Sequence, residues 1–191
     1  LVPMVAFLGA MGAALMVYAL AWKNGIRPSR IIFAGVAVSA FLGSGISALL
    51  VFFGDRVQGA LLWMVGGLAA RSWPQVEVLL PYAIVGLIFA CMGAKRLPIL
   101  SLGDETAKGL GLKVEQTRFM MTAVAALLAA GAVSIAGLIG FVGLVIPHIL
   151  RLIIGNDYAY LLPGSALLGA FILVISDTVG RVVLSPIEIP V

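Results

Sequence analysis

Six apolar runs divide this chain, and four of them contain no charged residue. They cover about Val2 to Trp22, Ile31 to Phe53, Val78 to Gly93, Phe119 to Ala136, Gly140 to Ile154 and Leu161 to Leu184. A helix needs ~20 apolar residues to cross ~30 Å of hydrocarbon, and the first two runs are close to that length. The third is short unless Pro74 opens its helix earlier, since proline is well tolerated in a first helical turn. The fifth is short and interrupted by Pro147. Composition points the same way. Of 191 residues, 62% are hydrophobic and 10% charged, against ~25% charged in a soluble domain. That is too little polar surface to coat a globule, so lipid is the solvent for most of the chain. The expected fold class is all-α: a polytopic transmembrane helical bundle of about six spans with short accessory helices. One of these is expected in the mixed stretch Gly54 to Glu77. There LLWMVGGL is too short to span, and Trp63 and Trp73 suit a helix lying at the membrane surface.

Between Lys95 and Arg118 lies the substantial polar island, KRLPILSLGDETAKGLGLKVEQTR. It holds eight of the twenty charged residues in twenty-four positions. Ser101 with Asp104 fits the S-x-x-D/E start of a helix, with Ser101 capping the early amides. Asp104 and Glu105 then sit where the helix dipole favours negative charge. Gly109 and Gly111 break that helix, and KVEQTR can form a second short helix running into the fourth span. The spacing thus predicts two short helices with a glycine hinge. Residue type alone leaves two readings open, a contact surface and a solvated loop without a partner.

Lys and Arg set orientation. If the six spans alternate, one side receives Lys23, Arg27, Arg30, Lys95, Arg96, Lys108, Lys113, Arg118 and Arg151. The other receives Arg56, Arg71 and Arg181. This places the island in the cytoplasm. In the second span Gly35, Ser39, Gly43 and Ser47 recur every four residues as a stripe of small side chains. Such stripes let helices approach closely in lipid. It serves packing within the subunit, a subunit interface or a pathway wall.

No enzyme constellation is present: no HExxH, GxxxxGK[ST] or GxSxG, and no paired cysteine. Catalytic and metal-ligating residues are therefore expected to be absent. His148 is read first as structural, with a proton relay or ligand as the sharper alternative. Cys91 lies in an apolar run and cannot form an internal disulfide. The basic residues sit singly and do not form a nucleic-acid patch. Asp177 and Arg181, four apart with the acid first, fit a helical ion pair. An Arg at an external mouth also suits docking. The chain begins LVPMV and stops at IEIPV, and is read as a fragment of a longer membrane protein. An ion-coupled secondary transporter would need buried carboxylates or interrupted inverted repeats. An intramembrane enzyme would need a nucleophile, base or metal cluster.

The stretch Ala136 to Arg181, with the core GFVGLVIPHILR at Gly140 to Arg151, resembles the FecCD family of ABC-transporter permeases. SLGDETAKGLGL (101–112), SRIIFAG (29–35), LLWMVGGL (61–68) and the terminal Glu188, Pro190 and Val191 are similar as well. The resemblance covers essentially the whole chain. It implies one transmembrane permease domain over 1–191, corresponding to helices four to nine of a ten-helix subunit in a bacterial or archaeal cytoplasmic membrane. The implied cargo is a ferric siderophore, haem or cobalamin. Implied partners are a second permease subunit, identical or paralogous, two ATP-binding subunits and an extracytoplasmic substrate-binding protein. No cofactor is expected on this chain; ATP and Mg belong to the partner ATPase. The family's coupling helices map to 97–118, with Leu102, Gly103, Asp104, Glu105, Ala107, Leu110 and Gly111 at or near the ATPase contact. The cytoplasmic gate maps to Pro28 and Ser29, and the following helix gives the Gly35–Ser47 stripe a pathway role. Some relatives carry a hydroxyl residue where Pro28 stands. Arg181 matches an external Arg that pairs with the binding protein.

Overall fold

The computed structural model describes residues 2–22, 28–53, 63–64, 66–68 and 72–183. The membrane-spanning candidates are α1 (Val2–Ala21), α2 (Pro28–Phe53), α3 (Trp73–Ala94), α6 (Val114–Ala136) and α8 (Tyr158–Val183). Two short helices, α4 (Leu97–Ser101) and α5 (Asp104–Gly109), lie in the polar island, and α7 (Val142–Ile154) follows α6. The five long helices have 20 to 26 residues. At ~1.5 Å per residue that is about 30–39 Å. No strand occurs among the described residues.

Local chemistry sets the helix starts. Pro28 opens α2, where its missing N–H costs nothing. Pro74 does the same for α3, whose start is capped when the Ser72 N–H donates to Gln75 Oε1 at 3.1 Å. The third span therefore begins at Trp73 and has 22 residues, enough to cross. Trp73 is the first residue of this helix and is exposed. Of LLWMVGGL, Trp63 and Met64 are helical and Gly66, Gly67 and Leu68 are not; the rest of the expected surface helix lies outside the described residues, as do Lys23, Arg27, Arg56, Arg71, Glu188, Pro190 and Val191.

The fifth run is short, as expected, but Pro147 lies inside its helix and does not interrupt it. α7 has 13 residues, about 20 Å of helix, less than the ~30 Å hydrocarbon core when taken without the residues that lead into it. The chain leaves α6 at Gly137 (φ +74°) and stays non-helical to Phe141. The Gly140 carbonyl accepts the Val142 N–H at 2.8 Å across Phe141, which sits at φ +64°. This is a tight γ-turn, a conformation that a side chain disfavours. Gly155 (φ +91°) ends α7, and α7 and α8 then pack as a hairpin.

Helix α6 is the hub, lying against both α1 and α3. Small residues bring α3 and α6 together. A Cβ on Gly131 would stand 2.5 Å from the Tyr82 ring, and one on Gly86 would stand 2.4 Å from Leu128. The Tyr82 hydroxyl donates to the Leu127 carbonyl, which keeps its polar end satisfied in an apolar setting. Tyr18 of α1 meets Phe119 of α6 edge-on, with centroids 5.1 Å apart. Most large apolar side chains point outward, such as Phe33, Val51 and Leu144. Those faces suit lipid or neighbouring helices, because in lipid only close packing draws helices together.

At the end of α6 two backbones cross through glycine. The Gly67 N–H donates to the Ala136 carbonyl at 2.8 Å. A Cβ on Gly137 would come within 2.4 Å of the Trp63 carbonyl oxygen. Gly137→Ala is expected to destabilise by about 2–4 kcal/mol, from positive φ and a backbone clash together. Gly43→Ala, where a Cβ meets nothing within 4 Å, should be neutral or stabilise by up to about 1 kcal/mol. Thermal unfolding of the full-length protein in detergent compares the two; equal midpoints would remove the crossing as a determinant.

Candidate functional site

The polar island folds as a small knob between α3 and α6. Lys95 and Arg96 form a turn after α3, and Leu97–Ser101 makes one short turn of helix. The chain then reverses at Gly103, whose φ of +97° suits glycine. Asp104–Gly109 follows as α5. Its end is closed by paired bonds. The Gly111 N–H reaches the Lys108 carbonyl at 2.9 Å, and the Leu112 N–H reaches the Ala107 carbonyl at 3.0 Å. With Gly111 at φ +81°, this is a Schellman motif.

Two details differ from the sequence reading. Ser101 does not cap the helix that follows it. It ends α4, and its hydroxyl donates back to the Pro98 carbonyl at 2.6 Å. Gly103 takes the cap position instead, because the reversal needs a left-handed residue that serine tolerates poorly. KVEQTR is also not a separate helix. From Val114 onward it forms the first turns of α6. The two short helices are α4 and α5, and the hinge between them is Gly103.

The knob is fastened to α6 by an ion pair. Arg118 places Nη2 2.7 Å from Asp104 Oδ1 and Nη1 3.3 Å from Oδ2. The Arg118 side chain is 8% exposed and that of Asp104 is 45% exposed. Such a two-point contact fixes direction as well as distance. Ala107, Val114 and Thr117 are buried around it. Fourteen positions separate the partners, so no helical spacing marks the pair. The sequence cue was opposite charges on either side of Gly109 and Gly111, and it gave no partner.

This sorts the residues singled out in the island. Leu102, Gly103, Glu105, Leu110 and Gly111 are exposed, with Leu102 at 60% and Leu110 at 62%. Ala107 is fully buried, so it packs the inner face of the knob and cannot itself meet a partner. Asp104 is half-buried and engaged with Arg118. The outer face thus presents two leucines amid charge and glycine.

The other candidates lie apart from the knob. Pro28 and Ser29 open α2. On that helix Ser39 and Ser47 are exposed and Gly35 and Gly43 partly so. A Cβ on either glycine would meet nothing within 4 Å, so the stripe does not pack against another described part of this chain. α2 instead meets α1. There Ala37, Val38 and Phe41 line a groove with Met16, Ala19 and Leu20. Arg181 bonds Asp177 through Nε at 2.8 Å, as the four-residue spacing predicts, and its side chain is 47% exposed. His148 is exposed on α7 and has no hydrogen-bond partner among the described residues. No group of three or more His, Cys, Asp or Glu gathers among the described residues.

The clamp has a measurable consequence. Asp104→Ala should loosen the knob by about 1–2 kcal/mol, seen as about 5- to 30-fold faster amide exchange across 97–113. Glu at 104 should recover part of the protection. Unchanged exchange in the alanine variant would show that the pair does not hold the knob.

The FecCD transport family model matches residues 1–191. The chain is 40% identical over 188 residues to the Fe(3+)-citrate import system permease protein YfmE of Bacillus subtilis, covering 98% of this chain and 56% of that protein. It is 44% identical over 177 residues to the cobalamin import system permease protein BtuC of Halobacterium salinarum, covering 92% and 48%. The iron(3+)-hydroxamate import system permease protein FhuG of Bacillus subtilis is 39% identical over 197 residues, covering 100% and 57%. The chain therefore spans about half the length of these curated relatives. A solved inward-facing ABC transporter assigned to the metal-chelate type superposes with a TM-score of 0.89 at 28% identity, over 96% of this chain and 59% of that one. The relatives are import permeases and not enzymes. On the match over its whole length, this multi-pass inner-membrane chain belongs to the FecCD transport family.

Proposed function

We propose that this chain is part of the permease subunit of a binding-protein-dependent ABC importer carrying an iron chelate, haem or cobalamin. The observation that carries the reading is the knob's outer face. Leu102 and Leu110 stand exposed on a polar, glycine-bounded segment, where a partner that covered them would remove apolar surface from water. The clamp from Asp104 to Arg118 ties that face to α6, the helix that α1 and α3 pack against.

The mechanism is mechanical. ATP and Mg act on the partner ATPase, and this chain supplies no reacting group. Closure of the ATPase pair moves the knob, and the short stiff link passes that motion into α6. The bundle then shifts between two arrangements that differ in affinity for their partners. Leu102, Gly103, Glu105, Leu110 and Gly111 form the ATPase contact in this reading, with Asp104 positioning them. Pro28 and Ser29 narrow the cytoplasmic exit. The uncovered Gly35–Ser47 stripe faces the pathway or the second permease subunit. Arg181, steadied by Asp177, presents its half-exposed guanidinium to a carboxylate of the binding protein.

Glu105→Arg or Leu110→Asp in the full transporter should cut ATP-driven uptake at least about tenfold, a loss of ~1.4 kcal/mol or more at a buried contact. The complex should still assemble, and the ATPase should keep a basal rate. Normal uptake in both variants would return the knob to the status of a solvated loop. For the outer end, Arg181→Glu should weaken docking of the binding protein about tenfold at low salt, an effect that shrinks as salt rises. Wild-type docking would leave the Asp177–Arg181 pair a structural feature of α8.

A further inference from the structure

Where the end of α1 meets the start of α6, a small cluster has no task in the transport reading. Tyr18 of α1 packs against Trp22, with ring centroids 5.6 Å apart. Its ring also meets Phe119 of α6 edge-on at 5.1 Å. Glu115 stands in the first turn of α6, four residues before Phe119, and so shares its face of the helix. The Tyr18 hydroxyl is shut off from solvent and has no hydrogen-bond partner among the described residues. A buried donor left without an acceptor is costly. Glu115 can supply the missing acceptor. Its charge reaches the Tyr18 hydroxyl, yet its side chain is exposed and makes no ion pair among the described residues. The cluster also joins two parts of the chain. Glu115 lies three positions before Arg118, which holds the knob. α1 leads through the next link to Pro28 and Ser29 at the start of α2.

We infer that Tyr18 and Glu115 form a latch, in which the Tyr18 hydroxyl donates to the Glu115 carboxylate in the second arrangement of the bundle and is released in the one described here. The inference rests on the two-arrangement reading given under the proposed function. The solved transporter that this fold matches is inward-facing, an arrangement open to the cytoplasm. The two residues already meet through the Phe119 ring, so a small shift of α6 against α1 with a turn of the Glu115 side chain completes the bond. A hydrogen bond to a carboxylate is stronger than a neutral one, and it favours the arrangement in which it exists. Motion of the knob then reaches α1, and through it the Pro28–Ser29 end of α2, as well as α6. Tyr18 and Glu115 act as positioning residues; the cargo and the nucleotide need touch neither.

The test uses the full transporter in bilayer discs, with one spin label at Leu20 of α1 and one at Lys108 of the knob in a Cys91→Ser background. Each of these positions is exposed. The distance between the labels is measured without nucleotide and with ATP trapped on a hydrolysis-deficient ATPase. The wild type should move to a second distance when ATP is trapped. Tyr18→Phe, which keeps the ring, and Glu115→Ala should each lower the ratio of second to first arrangement about tenfold. The double variant should lose no more than either single one, because both remove the same bond. Glu115→Gln keeps an acceptor and should recover part of the shift. Without nucleotide, Tyr18→Phe should leave the thermal midpoint unchanged or raise it, since it removes a buried donor that has no partner. Wild-type shifts in Tyr18→Phe and Glu115→Ala would overturn the latch and leave the transport reading standing, as would additive losses in the double variant. A lower nucleotide-free midpoint for Tyr18→Phe would also overturn the latch, since the hydroxyl would then be bonded in this arrangement. A wild type that shows no shift with ATP would overturn the latch and the two-arrangement reading together.

Discussion

Bilayer hydrocarbon offers no water to a peptide group, and each unsatisfied N–H or C=O there costs several kcal/mol. Everything else in this protein follows from that constraint. The long segments must be helical, because a helix satisfies its own backbone. Among the described residues, non-helical backbone is confined to the ends of helices and the links between them. At the end of α6, Gly67 and Ala136 pair across the chain crossing, and glycine allows the approach. Several side chains meet the same demand, although the Tyr18 and Ser165 hydroxyls are buried with no partner among the described residues. The Tyr82 hydroxyl reaches a carbonyl on α6, while Ser47 and Thr178 return theirs to carbonyls one turn back on their own helices. With so few polar contacts available, packing between helices relies on small residues, and α6 gathers most of it.

The island answers to water instead, and there charge can do structural work. Arg118 sits in the first turns of α6 yet is buried, with Asp104 as its counter-ion. A buried guanidinium without that carboxylate would be costly, so the pair specifies one placement of the knob. The Schellman closure at Gly111 and the reversal at Gly103 remove the remaining freedom. The result is a short rigid unit whose outer leucines are held out from the bundle. In the proposed importer this stiffness turns a push on the knob into a movement of α6.

The residues differ in how plainly they announced their roles. Pro74 was legible because proline in a first turn has one local consequence, and it extended the third span to Trp73. The Asp177–Arg181 pair was legible because a helix fixes four-residue neighbours. Ser101 misled, since the same Ser-x-x-Asp pattern fits a cap or a terminal turn. The choice rested on the reversal at Gly103. The fifth run was legible as short, but Pro147 misled: it lies inside α7 and does not interrupt it, while the γ-turn at Phe141 sets where that helix begins. The stripe from Gly35 to Ser47 suggested close packing, and no described part of this chain packs against it. That it faces away from the described remainder of this chain could not be read from spacing.

The sequence by itself determined that the chain is helical and membrane-embedded, where its polar island lies, and which family it resembles. Those properties depend on composition, local period and contiguous motifs, which need no knowledge of distant neighbours. Only the tertiary structure decided that Asp104 belongs to Arg118, that Ala107 turns inward while Leu102 and Leu110 turn out, and that Gly131 of α6 lies against Tyr82 of α3. Each of these is a relation between side chains brought together by a chain reversal or by the opposite face of a packed helix. Periodicity gives the faces of a helix, and packing alone decides which neighbour each face meets.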